Sequence, residues 1–136
     1  MTDYNKRIWF CGIPGSKWSG VDIQLRKALP ADTTDETPDR IFYHRVNTPG
    51  DTNNGHRGAY WGPYHQYGHN FDRLDQMDYS EVLKEFKAPF QDWDTGIKIV
   101  KSHWFSYHIP QLREWFPEAK ILTFWMDDEF CFDWWH

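Results

Sequence analysis

The residues best suited to chemistry stand in the run Ile13-Pro14-Gly15-Ser16-Lys17-Trp18-Ser19, where an apolar segment of strand length meets a Gly/Pro/Ser loop holding one lysine. A strand, a small-residue loop and then a helix is how α/β proteins build an anion cradle. Backbone N–H groups at the helix start point at a phosphate or sulfate, and a lysine adds charge. The nucleotide-binding loop of ATPases and GTPases needs a second Gly directly before the Lys and a Ser or Thr directly after it. Here Ser16 precedes Lys17 and Trp18 follows it, which displaces the magnesium-holding hydroxyl to Ser19. The run predicts an anion site and argues against an ATPase. The plain alternative for Lys17 is an exposed lysine on a tight turn. Trp18 is expected to pin the loop to the core in preference to stacking on a ligand ring.

Other candidates are weaker. His65 and His69 have the i, i+4 spacing of two ligands on a helix, with His56 nearby. Gly62, Pro63 and Gly68 speak against a helix there, and no carboxylate or cysteine completes the set, so no metal is predicted. Asp72, Asp75 and Asp78 recur every three residues, as on a solvated face or a helix start. Cys11 and Cys131 lack ligand-pair spacing and lie in apolar runs, the pattern of buried free thiols in a reducing compartment. The aromatic stretch from Tyr60 to Phe71 either walls an acceptor pocket or packs as a flap over the sheet.

These residues need a frame. A chain of 136 residues is predicted to be one domain, 1–136, with a single layered core. Its net charge of −5 argues against nucleic acid as a partner. Residues 1–30 hold five Lys/Arg against two Asp, whereas 126–136 hold four acids and neither Lys nor Arg. The first residues lack the long apolar stretch of a signal peptide and no segment reaches membrane-spanning length, so a cytoplasmic protein is expected. Arg7–Ile13 reads as a buried strand, followed by a helix capped by Ser19 or Gly20 and ended by Pro30. Residues 31–40 form an acidic loop, and Ile41–Val46 a second strand. The Gly- and aromatic-rich stretch at about 47–70 is too long for an inert connection. A helix from Tyr79 to Phe86 has Asp78 and Glu81 at capping-box spacing. Gly96–Lys101 is a third strand, Pro110 opens a helix that stops at Pro117, and Ala119–Trp125 is a fourth strand. A last short helix, Glu129–Trp135, is capped by Asp127 or Asp128. Strands alternating with helices imply an α/β fold with a mainly parallel sheet covered on both faces.

With both ends in view, the chain resembles the P-loop sulfotransferases. Pro14-Gly15-Ser16-Lys17-Trp18-Ser19 lies in the slot of that family's Pro-x-Ser/Thr-Gly-Ser/Thr-Ser/Thr loop. Val100-Lys101-Ser102-His103 resembles its Val-Lys-Thr-His strand end. Phe116-Pro117-Glu118-Ala119-Lys120-Ile121-Leu122 matches its Phe-Pro-x-Ala-Lys-Ile-Leu strand. The three blocks occur in the family's order. The resemblance implies a small three-layer P-loop-type fold with about four parallel strands in the order 2-3-1-4. It implies a donor, 3′-phosphoadenosine 5′-phosphosulfate, whose sulfuryl group passes to a hydroxyl or amine acceptor, a small molecule or a glycan. Pro14, Gly15, Ser16, Lys17, Trp18 and Ser19 would bind its 5′ end, with Lys17 catalytic as well and His103 the base. Imidazole can take a hydroxyl proton near neutral pH, and the end of a parallel strand is where open α/β sheets place their sites. Packing against Trp104 with one nitrogen hydrogen-bonded is the plain alternative for His103.

The departures are specific. Gly15 stands where the family commonly has a lysine, and the Arg and Ser that hold the donor's 3′-phosphate fall on Met126 and Trp134. Asp127, Asp128, Glu129 and Asp133 would repel that phosphate. A degenerate, non-catalytic binding or assembly module is therefore the first alternative, and a nucleotide-dependent kinase-like enzyme the second. The abundance of Trp also makes a homo-oligomer worth testing.

Overall fold

The computed structural model describes residues 1–13, 16–30, 69–87 and 90–135. Its centre is a parallel sheet of three strands, β1 (Arg7–Gly12), β2 (Lys98–Lys101) and β3 (Lys120–Phe124), in the order β2-β1-β3. Ile8 pairs with Ile99 on one side and Lys120 on the other, and Trp9 with Val100 and Ile121. Among the described residues the α-helices are α1 (Trp18–Ala28), α2 (Tyr79–Lys87), α3 (Ile109–Trp115) and α4 (Asp128–Trp135). Short 3-10 segments at His69–Gln76 and His103–Tyr107 complete the packing.

The alternation of side chains along β1 sends its residues to two different layers. Trp9 and Cys11 face a large core with Phe71, Leu74, Val82, Phe86, Phe105, Leu112 and Phe116. Phe10 faces Trp18 and Ile99, where Val21, Leu25 and Leu29 of α1 close the opposite side. Helices thus flank both faces of the sheet. Among the described residues, aromatic rings dominate the first layer. Trp9 lies 4.8 Å from Phe86 and 5.0 Å from Phe116 between ring centroids, within the range of favourable aromatic pairs. A sheet this small fills its core with few, large side chains.

The strand read first in the sequence lies between those read third and fourth, as expected. Ile41–Val46, which would make a fourth strand, lies outside the described residues, as do 47–68 of the long aromatic loop with His56 and His65. Local boundaries shift for physical reasons. The strand expected from Gly96 starts at Lys98, because Gly96 has a left-handed backbone (φ 62°) and belongs to the preceding turn. The helix expected to be capped at Ser19 or Gly20 starts earlier, at Trp18, with Lys17 as the residue that turns the chain. Glu81 does reach back to the Asp78 N–H (3.1 Å), and Asp127 caps α4 by accepting from the Glu129 N–H (3.0 Å). No helix among the described residues is long and apolar enough to cross a membrane.

Candidate functional site

The C-terminal ends of β1 and β2 meet at one indole ring. β1 ends at Gly12, which faces Trp18 so closely that an added Cβ would stand 2.6 Å from Trp18 Cβ and 2.8 Å from Cγ. Glycine is needed there for close approach, so that α1 can begin directly against the strand. The Trp18 ring is buried, 5.5 Å from Phe10 and 4.3 Å from His103 between centroids. The ammonium of Lys101 lies 4.7 Å over it. Trp18 pins the loop to the core.

The described residues flanking the loop are held by backbone hydrogen bonds. Ser16 N–H donates to Ile13 O (3.1 Å) and Gly20 N–H to Lys17 O (2.9 Å). Between these turns Lys17 adopts φ 58° and ψ 21°, left-handed backbone that is uncommon for a residue with a side chain. Ser16 is fully buried, and its hydroxyl has no hydrogen-bond partner among the described residues. A buried hydroxyl left in that state is penalised by about 1–3 kcal/mol. The first amides of α1 lack intrahelical partners by the geometry of any helix start. Lys17 is exposed and holds its ammonium 5.0 Å over the Phe130 ring, which brings the first turns of α4 beside the loop. Pro14, Gly15 and the side chain of Ser19 lie outside the described residues.

His103 approaches from the other strand. Ser102 N–H donates to Phe10 O (3.1 Å), and the Ser102 hydroxyl then accepts from the Trp104 N–H (3.2 Å), which ends β2 and starts the 3-10 turn. The turn directs the half-buried His103 ring toward β1, where Nδ1 lies 2.5 Å from Gly12 O. A carbonyl can only accept, so Nδ1 carries the proton. In the neutral ring Nε2 then holds the lone pair. The geometry selects the tautomer in which His103 can act as a base through Nε2.

No family model, curated protein or solved structure matches the chain. The chemistry of the site is therefore read from its own groups. Ser16, Lys17, Trp18 and His103, separated by 87 positions at their extremes, are gathered by the β1–β2 pairing at one end of the sheet. They offer donors for an anion, one exposed cation and one imidazole acceptor.

Two residues escaped the sequence reading. Asp22, on α1, is fully buried and accepts from Arg26 Nε with both oxygens (3.0 and 2.9 Å) and from Lys101 Nζ (3.3 Å). Lys101, read as a strand-end lysine, is also fully buried. The signal for Asp22 was present as an i, i+4 Asp–Arg pair on the helix face that carries Val21 and Leu25, but nothing local indicated that a second cation would arrive from β2. Met126 is half-buried and Asp127, Asp128 and Glu129 are exposed, while the Trp134 side chain is outside the described residues. Cys11 is a poor nucleophile. Burial pushes its thiol up to about 11, and Sγ donates weakly to Leu122 O at 3.7 Å.

Proposed function

We infer that the chain is a sulfuryl-transfer protein of the P-loop type, holding an anion at the turn from Pro14 to Ser19 and using His103 as base toward a hydroxyl or amine acceptor. The observation that carries this reading is the Nδ1–Gly12 O contact, which makes Nε2 of His103 a proton acceptor beside the loop. Open parallel sheets place ligands at the C-terminal ends of their strands, where both groups lie. The buried Ser16 hydroxyl and the start of α1 supply donors that an anionic ligand would satisfy. In the four-strand order 2-3-1-4 that the resemblance implies, β2, β1 and β3 would take places 3, 1 and 4.

The donor implied by the resemblance is 3′-phosphoadenosine 5′-phosphosulfate, which supplies the sulfuryl group when bound. Its sulfate end suits Ser16, Lys17 and the helix-start amides. Its 3′-phosphate suits the chain poorly, because Met126 brings no charge and Asp127, Asp128 and Glu129 are exposed acids. The roles assigned to this chain are accordingly confined to its own atoms. His103 Nε2 takes the acceptor's proton. Lys17 and the amides offset negative charge at the loop. Trp18 keeps the loop and the imidazole in contact. The same mismatch at Met126 favours a second reading, a non-catalytic binding module on the same fold. A kinase-like enzyme is disfavoured, since the position after Lys17 is a buried indole in place of a magnesium-holding hydroxyl.

Calorimetric titration with 3′-phosphoadenosine 5′-phosphate and with ATP–magnesium separates these. Sulfuryl transfer predicts binding of the first alone, weakened at least about tenfold, or about 1.4 kcal/mol, by Lys17→Ala. His103→Ala should keep binding and lose transfer to acceptors. Silence with both nucleotides and with inorganic sulfate would leave the binding-module reading.

A further inference from the structure

The sheet has two outer strands among the described residues, and they are finished differently. All four residues of β2 are buried, whereas none of the five in β3 is, with Lys120, Leu122 and Thr123 exposed. Leu122 is 38 % exposed, and just past the strand Trp125 is 70 % exposed. Outer strands are commonly protected against pairing by proline, by bulges or by several charges. The run Lys120–Phe124 carries one charge and no proline. We propose that β3 is a self-association edge, to which a second copy of this chain adds its own β3 in antiparallel register about a two-fold axis at Leu122. This interface is independent of the anion site and of the chemistry inferred there.

The occupant follows from how charge is laid out along the edge. At the start of β3 stand Lys120 and Arg113, whose guanidinium donates to Ala119 O, against one exposed acid, Glu118. Past its C-terminal end, Asp127, Asp128 and Glu129 are exposed and outnumber one nearby cation, Lys17, which lies over Phe130. The edge is therefore basic at one end and acidic at the other. A parallel neighbour of the same sequence would set acids against acids. An antiparallel copy sets each basic end against the other's acidic end, and the two-fold repeats the contact. Side chains suit the same register. In the β1–β3 ladder Lys120, Leu122 and Phe124 stand beside Ile8, Phe10 and Gly12, so all three share the α1 face of the sheet. With the axis at Leu122, each Leu122 meets its copy. Each Lys120 then lies opposite the other copy's Phe124, with its stem along the ring and its ammonium at the acidic end. The outward N–H and C=O groups of β3 gain partners in the same step, joining three strands from each copy into one sheet.

Sedimentation velocity on the full chain across the micromolar range should give a mass that rises with concentration toward twice 16.5 kDa. Hydrogen–deuterium exchange at the two ends of that range should slow within Lys120–Phe124 as the dimer forms. A chain that stays monomeric, a dimer whose β3 exchange is unchanged, or open-ended assembly would each overturn the proposal. Leu122→Lys sets like charges opposite each other at the axis and should weaken association at least about tenfold. The position is already exposed, so the variant should fold, which a circular-dichroism melt checks. Lys120→Glu should weaken the dimer at low salt and matter less at high salt, where the paired ends are screened. Tyr107→Lys, on the turn after β2 and 75 % exposed, should leave the mass unchanged. Association that survives Leu122→Lys at full strength would place the interface elsewhere and overturn the assignment.

Discussion

Two buried cations sit over indole rings at opposite ends of the sheet, and their partners differ in kind. At the N-terminal end of β1, the Arg7 guanidinium lies 4.9 Å over Trp93 and donates to three carbonyls, Lys6 O (3.1 Å), Gly96 O (2.8 Å) and Trp93 O. At the C-terminal end of β2, Lys101 lies over Trp18 and is met by the carboxylate of Asp22. Backbone carbonyls hold Arg7 with no counter-charge among these contacts, and burial lowers its pKa. Lys6 O precedes β1, and Trp93 O and Gly96 O precede β2, so that end is a clasp between two chain segments. The Lys101 end is built from side chains, with a histidine of defined tautomer and an unsatisfied buried hydroxyl at Ser16 beside it. Both ends leave buried polar atoms unmet among the described residues, Ser16 Oγ at one and Arg7 Nε and Trp93 Nε1 at the other, so what separates them is the partners: a carboxylate and an imidazole beside Lys101, backbone carbonyls around Arg7.

The largest way to break that contrast is Arg7→Met. It removes charge-assisted bonds to three carbonyls and should cost about 3 kcal/mol in urea unfolding, with anion affinity at the far end unchanged. A change in affinity would mean that the two ends are coupled. Gly12→Ala comes next, at about 2 kcal/mol, because the new Cβ collides with Trp18 close to its backbone. This variant should also disturb His103, whose acceptor is Gly12 O; an unperturbed imidazole spectrum would count against the close-packed site.

Cys11 reports on the dry middle of the sheet. Its folded pKa of about 11 lies above the ordinary 9.0, so the folded state holds the proton more tightly. The resulting stability is complete below pH 9 and is lost as the pH rises from 9 through 11. At pH 10 the loss is about 1.4 kcal/mol. Cys11→Ala should flatten the alkaline limb of a stability–pH curve by that amount, and parallel limbs would show that the thiol is wetter than its burial implies. The smallest effect belongs to Lys17→Gly. Glycine relieves the left-handed backbone, so stability should rise by up to about 1 kcal/mol, while affinity for the anion falls. Opposite signs in the melting and titration experiments would mark strain kept for binding; a fall in both would refute it.

Much of the frame was legible from the chain alone. The runs Arg7–Ile13, Gly96–Lys101 and Ala119–Trp125 read as strands, and the structure places strands at Arg7–Gly12, Lys98–Lys101 and Lys120–Phe124 within them, while the capping chemistry at Asp78–Glu81 and Asp127 is written in local spacing. The sequence reads the loop as an anion cradle and Trp18 as its pin, and the structure buries Trp18 against Phe10 and Gly12. The start of α1 was misjudged by one or two residues because capping preferences are weak beside the packing of Trp18 on Gly12, a contact that no propensity scale includes. Asp22 was passed over for a related reason. Its spacing to Arg26 suggests an exposed helix pair, and only the arrival of Lys101 makes it a buried one.

By itself, then, the sequence determined the α/β alternation, the position of the loop and the strand-end histidine, because these follow from hydrophobic period and turn chemistry over a few neighbouring residues. The tertiary structure decided which charges are buried, which tautomer His103 adopts and which hydroxyl is left unsatisfied. Those properties arise from contacts such as Asp22 with Lys101, 79 residues apart, and Gly12 with His103, 91 apart. Burial and pairing are set by what folding brings together, and the free energy of a charge or a proton depends on that company far more than on its neighbours in the chain.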